Sequence, residues 1–163
     1  MGHANAALSK AVTAQLESVH HVSNLYLIPA QAALADWLTR NSVADKAFFC
    51  NSGAEANEAA IKCARRHASN RGIAKPIIIT AEQSFHGRTL AALSATAQPK
   101  YHQGFGYDGD MVPGFRYVPY NDVEALKAAV KEIQGAGNGE GLAAVCVFVA
   151  NVVVNGILTH CIS

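Results

Sequence analysis

Apolar residues recur at helical spacing near the N-terminus, where Leu8, Val12, Leu16 and Val19 predict a helix over residues 8–19. Ser23, Asn24 and Pro29 mark a turn region. Ala30, Leu34, Trp37 and Leu38 then predict a second helix ending near Asn41 and Ser42. The short apolar run Phe48-Phe49-Cys50 stops at Asn51-Ser52-Gly53 and predicts a buried strand followed by a turn. From Gly53 the period is helical again, with Ala56, Ala59, Ala60, Cys63, Ala64 and His67 on one face. Pro76-Ile77-Ile78-Ile79-Thr80 is apolar without alternation, the pattern of a strand covered on both faces. A shorter helix is expected over residues 88–96, and the Pro- and Gly-rich residues 98–116 read as loop. Tyr117-Val118-Pro119 predicts a short strand. Val123, Leu126, Val130 and Ile133 predict a helix, with Asn121 as its cap and Glu124 reaching back to the cap amide. A flexible run, Gly135-Ala136-Gly137-Asn138-Gly139, precedes a strand expected over residues 142–149. Strand and helix alternating through four strands is the order of an α/β domain with a largely parallel sheet.

The chain has 163 residues, about one domain's worth, with 50% apolar and 15% charged residues, a globular balance rather than a disordered one. Thirteen basic against twelve acidic side chains leave +1, so no net field attracts a polyanion and nucleic acid is not an expected partner. Cys50, Cys63, Cys146 and Cys161 form no C-x-x-C pair and no metal-ligand spacing, and they read as free thiols of a reducing compartment. The longest apolar stretch, 142–158, is broken by Asn151, Asn155 and Gly156 and is a poor membrane span. Met1-Gly2-His3-Ala4-Asn5 has no basic stretch followed by an apolar one, so a signal peptide is not expected. A soluble intracellular protein is expected, cytoplasmic, or mitochondrial or plastidic if a transit peptide precedes Met1.

Two clusters carry candidate chemistry. In Asn51-Ser52-Gly53-Ala54-Glu55, Ser52 and Glu55 fit a capping box at a helix start, and Gly53 and Ala54 would let a ligand approach the backbone closely. Unpaired first-turn amides and the positive end of the helix dipole suit a phosphate. The dipole contributes only about 0.3–1 kcal/mol when exposed, so the amides would supply most of the affinity. The second cluster, Ser84-Phe85-His86-Gly87-Arg88-Thr89, follows the strand 77–80 and so lies at a strand's C-terminal end, where α/β sheets bind ligands. Both clusters follow strands, so both should open on one side. Phe85 is suited to lie against a planar ring, and Arg88 to bind a carboxylate through its fork. By contrast, Gly104-Phe105-Gly106-Tyr107-Asp108-Gly109 matches a dinucleotide fingerprint by letter only, because no strand precedes it and no helix follows.

These clusters lie within longer motifs. Residues 48–62, Phe-Phe-Cys-Asn-Ser-Gly-Ala-Glu-Ala-Asn-Glu-Ala-Ala-Ile-Lys, resemble the signature of class III pyridoxal-phosphate-dependent aminotransferases, and Ser84 to Leu90 resemble the family's next landmark. Residues 22–26 and 112–119 agree, pointing to the acetylornithine aminotransferase branch with ornithine and succinylornithine relatives close behind. The resemblance covers residues 2 to about 147. It implies part of the large domain of a fold-type I transferase that binds pyridoxal 5′-phosphate, and a homodimer with the active site at the subunit interface. It implies cofactor binding by Ser52, Gly53, Ala54, Phe85 and His86, and substrate binding by Arg88. The implied reaction moves an amino group from N-acetylornithine to 2-oxoglutarate, within arginine biosynthesis.

Three departures from the family pattern set further expectations. The chain starts inside the family's domain. Phe148-Val149-Ala150-Asn151 replaces the family's Glu-Pro and Gly-rich segment, which divides the chain into 1–147 and a divergent tail, 148–163. The family's ring-nitrogen aspartate, Schiff-base lysine and phosphate-binding threonine fall beyond Ser163. Lys62 follows the phosphate turn and points along its helix, not over the ring. The chain as given is therefore expected not to transaminate alone. The alternative is a non-catalytic short isoform that docks on full-length subunits.

Overall fold

A computed structural model describes residues 2–23 and 25–146. They fall into two units, divided between Phe49 and Cys50.

The first unit holds two helices. In α1 (Ala6–Ser18), the Asn5 side chain accepts from the Leu8 amide at 3.0 Å and caps the first turn. In α2 (Pro29–Arg40), proline occupies the first turn, where its missing N–H costs nothing. The helix ends where Asn41 Nδ2 donates to the Trp37 carbonyl at 2.8 Å. Both elements match the sequence pattern to within two residues. Neither buries a residue: Leu8, Val12 and Leu16 stand about half exposed, and Trp37 more so.

The second unit is a three-layer α/β arrangement. Its elements are α3 (Gly53–Asn70), β1 (Lys75–Ala81), α4 (Leu90–Ala95), β2 (Phe115–Val118), α5 (Val123–Gly135) and β3 (Glu140–Cys146). The sheet runs β2-β1-β3 and both pairings are parallel. Chain direction reverses between the two crossovers, and so does the face they use. Ala91 and Ala95 of α4 pack on one side with Ile61 and Ala64 of α3, while Leu126 and Ile133 of α5 pack on the other. Reversing direction and face together gives both connections the same hand, as parallel crossovers require.

β1 is the centre of the core. Ile77 and Ile79 face α5 and Ile78 faces α3, all at most 4% exposed, as the unbroken apolar run predicted. Opposite it, β3 carries a one-residue bulge: Ile77 pairs with Leu142 and Ile78 with Ala144, leaving Ala143 without a partner on β1.

Three expectations are corrected. Phe48-Phe49-Cys50 forms no strand, and Phe48 is 73% exposed. The run is short, and no described strand offers it a ladder. The inward face of α3 is Ile61, Ala64 and Ala68, with Cys63 and His67 exposed. Alanines define a helix face weakly, and the larger Ile61 sets the phase. The cap of α5 is Asp122, whose carboxylate accepts from the Ala125 amide at 2.9 Å. Asn121 instead takes a left-handed turn conformation, φ +60°. Residues 147–149 of the last expected strand, and the tail 148–163, lie outside the described residues.

Candidate functional site: a phosphate turn and a loop on α3

The first turn of α3 is held by the predicted capping box. Ser52 Oγ accepts from the Glu55 amide at 3.2 Å, and Glu55 Oε2 accepts from the amides of Asn51 at 2.6 Å and Ser52 at 3.1 Å. The Ala56 amide bonds the Ser52 carbonyl. These bonds leave the amides of Gly53 and Ala54 with no acceptor among the described residues. They are the two donors that a helix start presents outward. The space beside Gly53 is open, and a Cβ built there meets no atom within 4 Å. The Ser52 hydroxyl accepts from Glu55 and so keeps its own proton to donate.

The second cluster reaches this turn from the end of β1. Ser84, His86 and Gly87 are buried, Phe85 is half-buried and Arg88 is exposed. At Gly87 the backbone takes φ +138°, and a Cβ there would lie 3.0 Å from Ala54 Cβ. Only glycine permits this approach. The two clusters therefore meet at the Gly87–Ala54 contact. The meeting does not depend on a strand before residue 51.

Side chains in the second turn of α3 complete the junction. Asn57 Nδ2 donates to the His86 carbonyl at 2.6 Å. Glu58 Oε1 accepts from Thr89 Oγ1 at 2.5 Å and from the Ala92 amide at 3.1 Å. On the other flank, Thr96 Oγ1 accepts from the His86 amide at 2.9 Å and donates to the Ala92 carbonyl. His102 Nε2 faces the carbonyls of Leu93 and Thr96 at 2.9 and 2.7 Å. Two acceptors require this nitrogen to carry the proton.

The His86 ring is 2% exposed and borders a cavity of about 30 Å³ between α3 and the sheet, shared with Asn57, Ile61, Thr80 and Cys146. Cys146 Sγ lies 3.9 Å from its Nδ1. Burial lowers the imidazole pKa to about 4, so the ring is neutral at pH 7. Arg88 makes no hydrogen bond or ion pair with another described residue. Its guanidinium is open to solvent.

The structure thus brings Ser52, Gly53 and Ala54 together with the segment Phe85–Arg88, and turns the His86 ring into the interior. Asn57 and Glu58 had no assigned role in the sequence reading. Their spacing from Ala54 and Ile61 was the available signal, because 54, 57, 58 and 61 share one helix face. The Gly104–Gly109 segment is a tight turn in which Tyr107 and Asp110 exchange two 2.9 Å backbone bonds. Among the described residues no helix is long and apolar enough to cross a membrane, and no three metal-ligating side chains converge.

Residues 1–149 match the aminotransferase class-III family. Acetylornithine aminotransferase of Thermosynechococcus vestitus is 60% identical over 134 residues, which span 82% of this chain and 32% of that protein. Its counterpart in Parasynechococcus marenigrum is 56% identical over 146 residues, 89% of this chain and 34% of that protein. The chain spans about a third of the length of these relatives. Among solved structures, ornithine aminotransferase from Toxoplasma gondii superimposes with a TM-score of 0.77 at 26% identity, covering 90% of this chain and 33% of that one. An (S)-enantioselective ω-transaminase from Thermomicrobium roseum gives 0.73 at 29% identity, covering 88% and 36%.

Proposed function

The chain belongs to the class-III aminotransferase family, and from that premise we propose that residues 2–146 form the phosphate-binding part of an acetylornithine aminotransferase large domain. The cofactor is pyridoxal 5′-phosphate. The Toxoplasma relative has that compound in its active site, at partial occupancy. The reaction is amino transfer from N-acetylornithine to 2-oxoglutarate, in a homodimer.

The observation that carries this reading is the outward pair of amides at Gly53 and Ala54, in front of open space and in contact with the aromatic loop. Each group has a stated task. The two amides and the Ser52 hydroxyl bind the phosphate. The Glu55 carboxylate is held back on the amides of Asn51 and Ser52 and does not compete for that place. Phe85 would lie against the cofactor ring. His86 ties the loop to α3 through its carbonyl, which accepts from Asn57, and its neutral ring adds no charge there. Arg88 offers a bidentate fork to the substrate carboxylate. The cofactor, when bound, supplies an electron sink for the carbanion formed at the amino-acid carbon.

Two experiments test this. Equilibrium dialysis with pyridoxine 5′-phosphate, which has no aldehyde to react with surface lysines, should show binding that Gly53→Asp abolishes. A Cβ at this position meets no atom within 4 Å, and a carboxylate near a helix N-terminus contributes about 0.3–1 kcal/mol of stability, so Tm should hold or rise. Unchanged binding in this variant contradicts the phosphate assignment. Replacing the matching segment of the Thermosynechococcus enzyme by residues 2–146 should yield a chimera active on N-acetylornithine. A folded, inactive chimera contradicts the proposed reaction.

A further inference from the structure

We propose that Asn57 and Glu58 are positioning residues: a two-point clamp on α3 that sets the Phe85–Arg88 loop at contact distance from the phosphate turn. The inference rests on the function proposed above and deepens it, because it explains how the ring-facing and phosphate-facing groups keep one spacing.

The clamp brackets the closest approach. Asn57 holds the loop one residue before Gly87, through the His86 carbonyl at 2.6 Å. Glu58 holds it two and five residues after, through Thr89 Oγ1 at 2.5 Å and the Ala92 amide at 3.1 Å. Between these points Gly87 lies against Ala54. The bond to Ala92 also replaces a local cap. Thr89, the N-cap of α4, makes no side-chain cap bond, and a carboxylate from α3 satisfies an amide of the first turn instead. α4 therefore begins where α3 dictates. Phe85 and Arg88 flank Gly87, so both inherit their position from this junction. The far side of the loop is tied independently, by Thr96 to the His86 amide and by Gln98 Nε2 to the Ser84 carbonyl at 2.9 Å. Loss of the clamp is thus expected to shift the loop relative to α3 without unfolding it. Asn57 and Glu58 are half-buried, and their bonds are to the loop.

The experiment compares two probes on the full chain. Pyridoxine 5′-phosphate needs both the turn and the aromatic loop, whereas inorganic phosphate needs the turn alone. In Asn57→Ala and Glu58→Ala, affinity for pyridoxine 5′-phosphate should fall at least about tenfold while affinity for inorganic phosphate changes less than about twofold. Glu58→Gln keeps an acceptor oxygen toward Thr89 and Ala92 and should restore most of the loss. Thr89→Val removes only the hydroxyl, at constant volume, and tests the same contact if the alanine variants fold poorly. It should reproduce the selective loss. Equal loss for both probes, or an unchanged ratio, overturns the clamp. So does a Glu58→Gln variant no better than Glu58→Ala. If the unmodified chain binds neither probe, the proposed function falls and the clamp falls with it.

Discussion

At Gly87 a single hydrogen in place of a methyl group decides how closely two segments approach. Its φ of +138° is one that other residues rarely adopt, and a Cβ would be 3.0–3.2 Å from Ala54 and Ala92. Gly87→Ala should therefore cost about 1–3 kcal/mol in chemical denaturation, from strain and overpacking together. His86, next to it, links the site to pH. Its folded pKa of about 4 lies below the unfolded 6.5, so the unfolded chain binds more protons between those values. The stability tied to this residue is fully present above pH 6.5 and is lost as pH falls through 4. The span is about 3 kcal/mol. Unfolding free energies at pH 7.5 and 5 should differ by about 2 kcal/mol, the part of that span crossed by pH 5, and His86→Gln should flatten the dependence. A buried network that makes no use of the ring's neutrality would give equal slopes.

Among the elements, α3 carries most of the site. Its capping box orders the turn, its second turn holds the loop, and Ile61 and Ala64 pack on the sheet. The α5 cap gives a contrast that can be measured. Asp122→Ala removes the bond to the Ala125 amide and should cost about 1 kcal/mol in thermal or urea unfolding. Asn121→Gly removes the side chain while keeping the left-handed conformation and should cost little; a loss equal to that of Asp122→Ala would overturn the assignment. These elements also show what can be read from the residues alone. The strand 77–80 was legible because an apolar run flanked by turn residues has few other structures. The capping box was legible because Ser52 and Glu55 sit at fixed spacing before a helical pattern. The phase of α3 was not, since alanines mark no face strongly. The supposed strand at 48–50 failed because a strand exists only through its neighbour. The meeting of Ala54 and Gly87 was anticipated only as a shared opening. The atomic contact depends on a backbone angle that no residue pattern encodes beyond the presence of glycine. Asn57 and Glu58 were overlooked because polar residues facing a loop look, in sequence, like residues facing water.

For the whole molecule, exposed apolar surface is the main prediction. Leu8, Val12 and Leu16 line one side of α1 about half exposed, and among the described residues β2 and β3 each keep one edge without a strand partner. Such surfaces associate. Sedimentation velocity on the 163-residue chain should show concentration-dependent self-association, reduced by Leu16→Lys. A monomer at all concentrations contradicts it.

The unpaired Ala143 has a consequence of its own. Because of it, Leu142 and Val145 point toward α5 while Ala143, Ala144 and Cys146 point toward α3. Removing Ala143 restores strict alternation and leaves every other facing unchanged, with Cys146 still beside His86. Shortening β3 by Val145 instead would carry Cys146 to the opposite layer. The strand holds one spare position, and a length change there, unlike one two residues later, leaves the phase of the sheet intact.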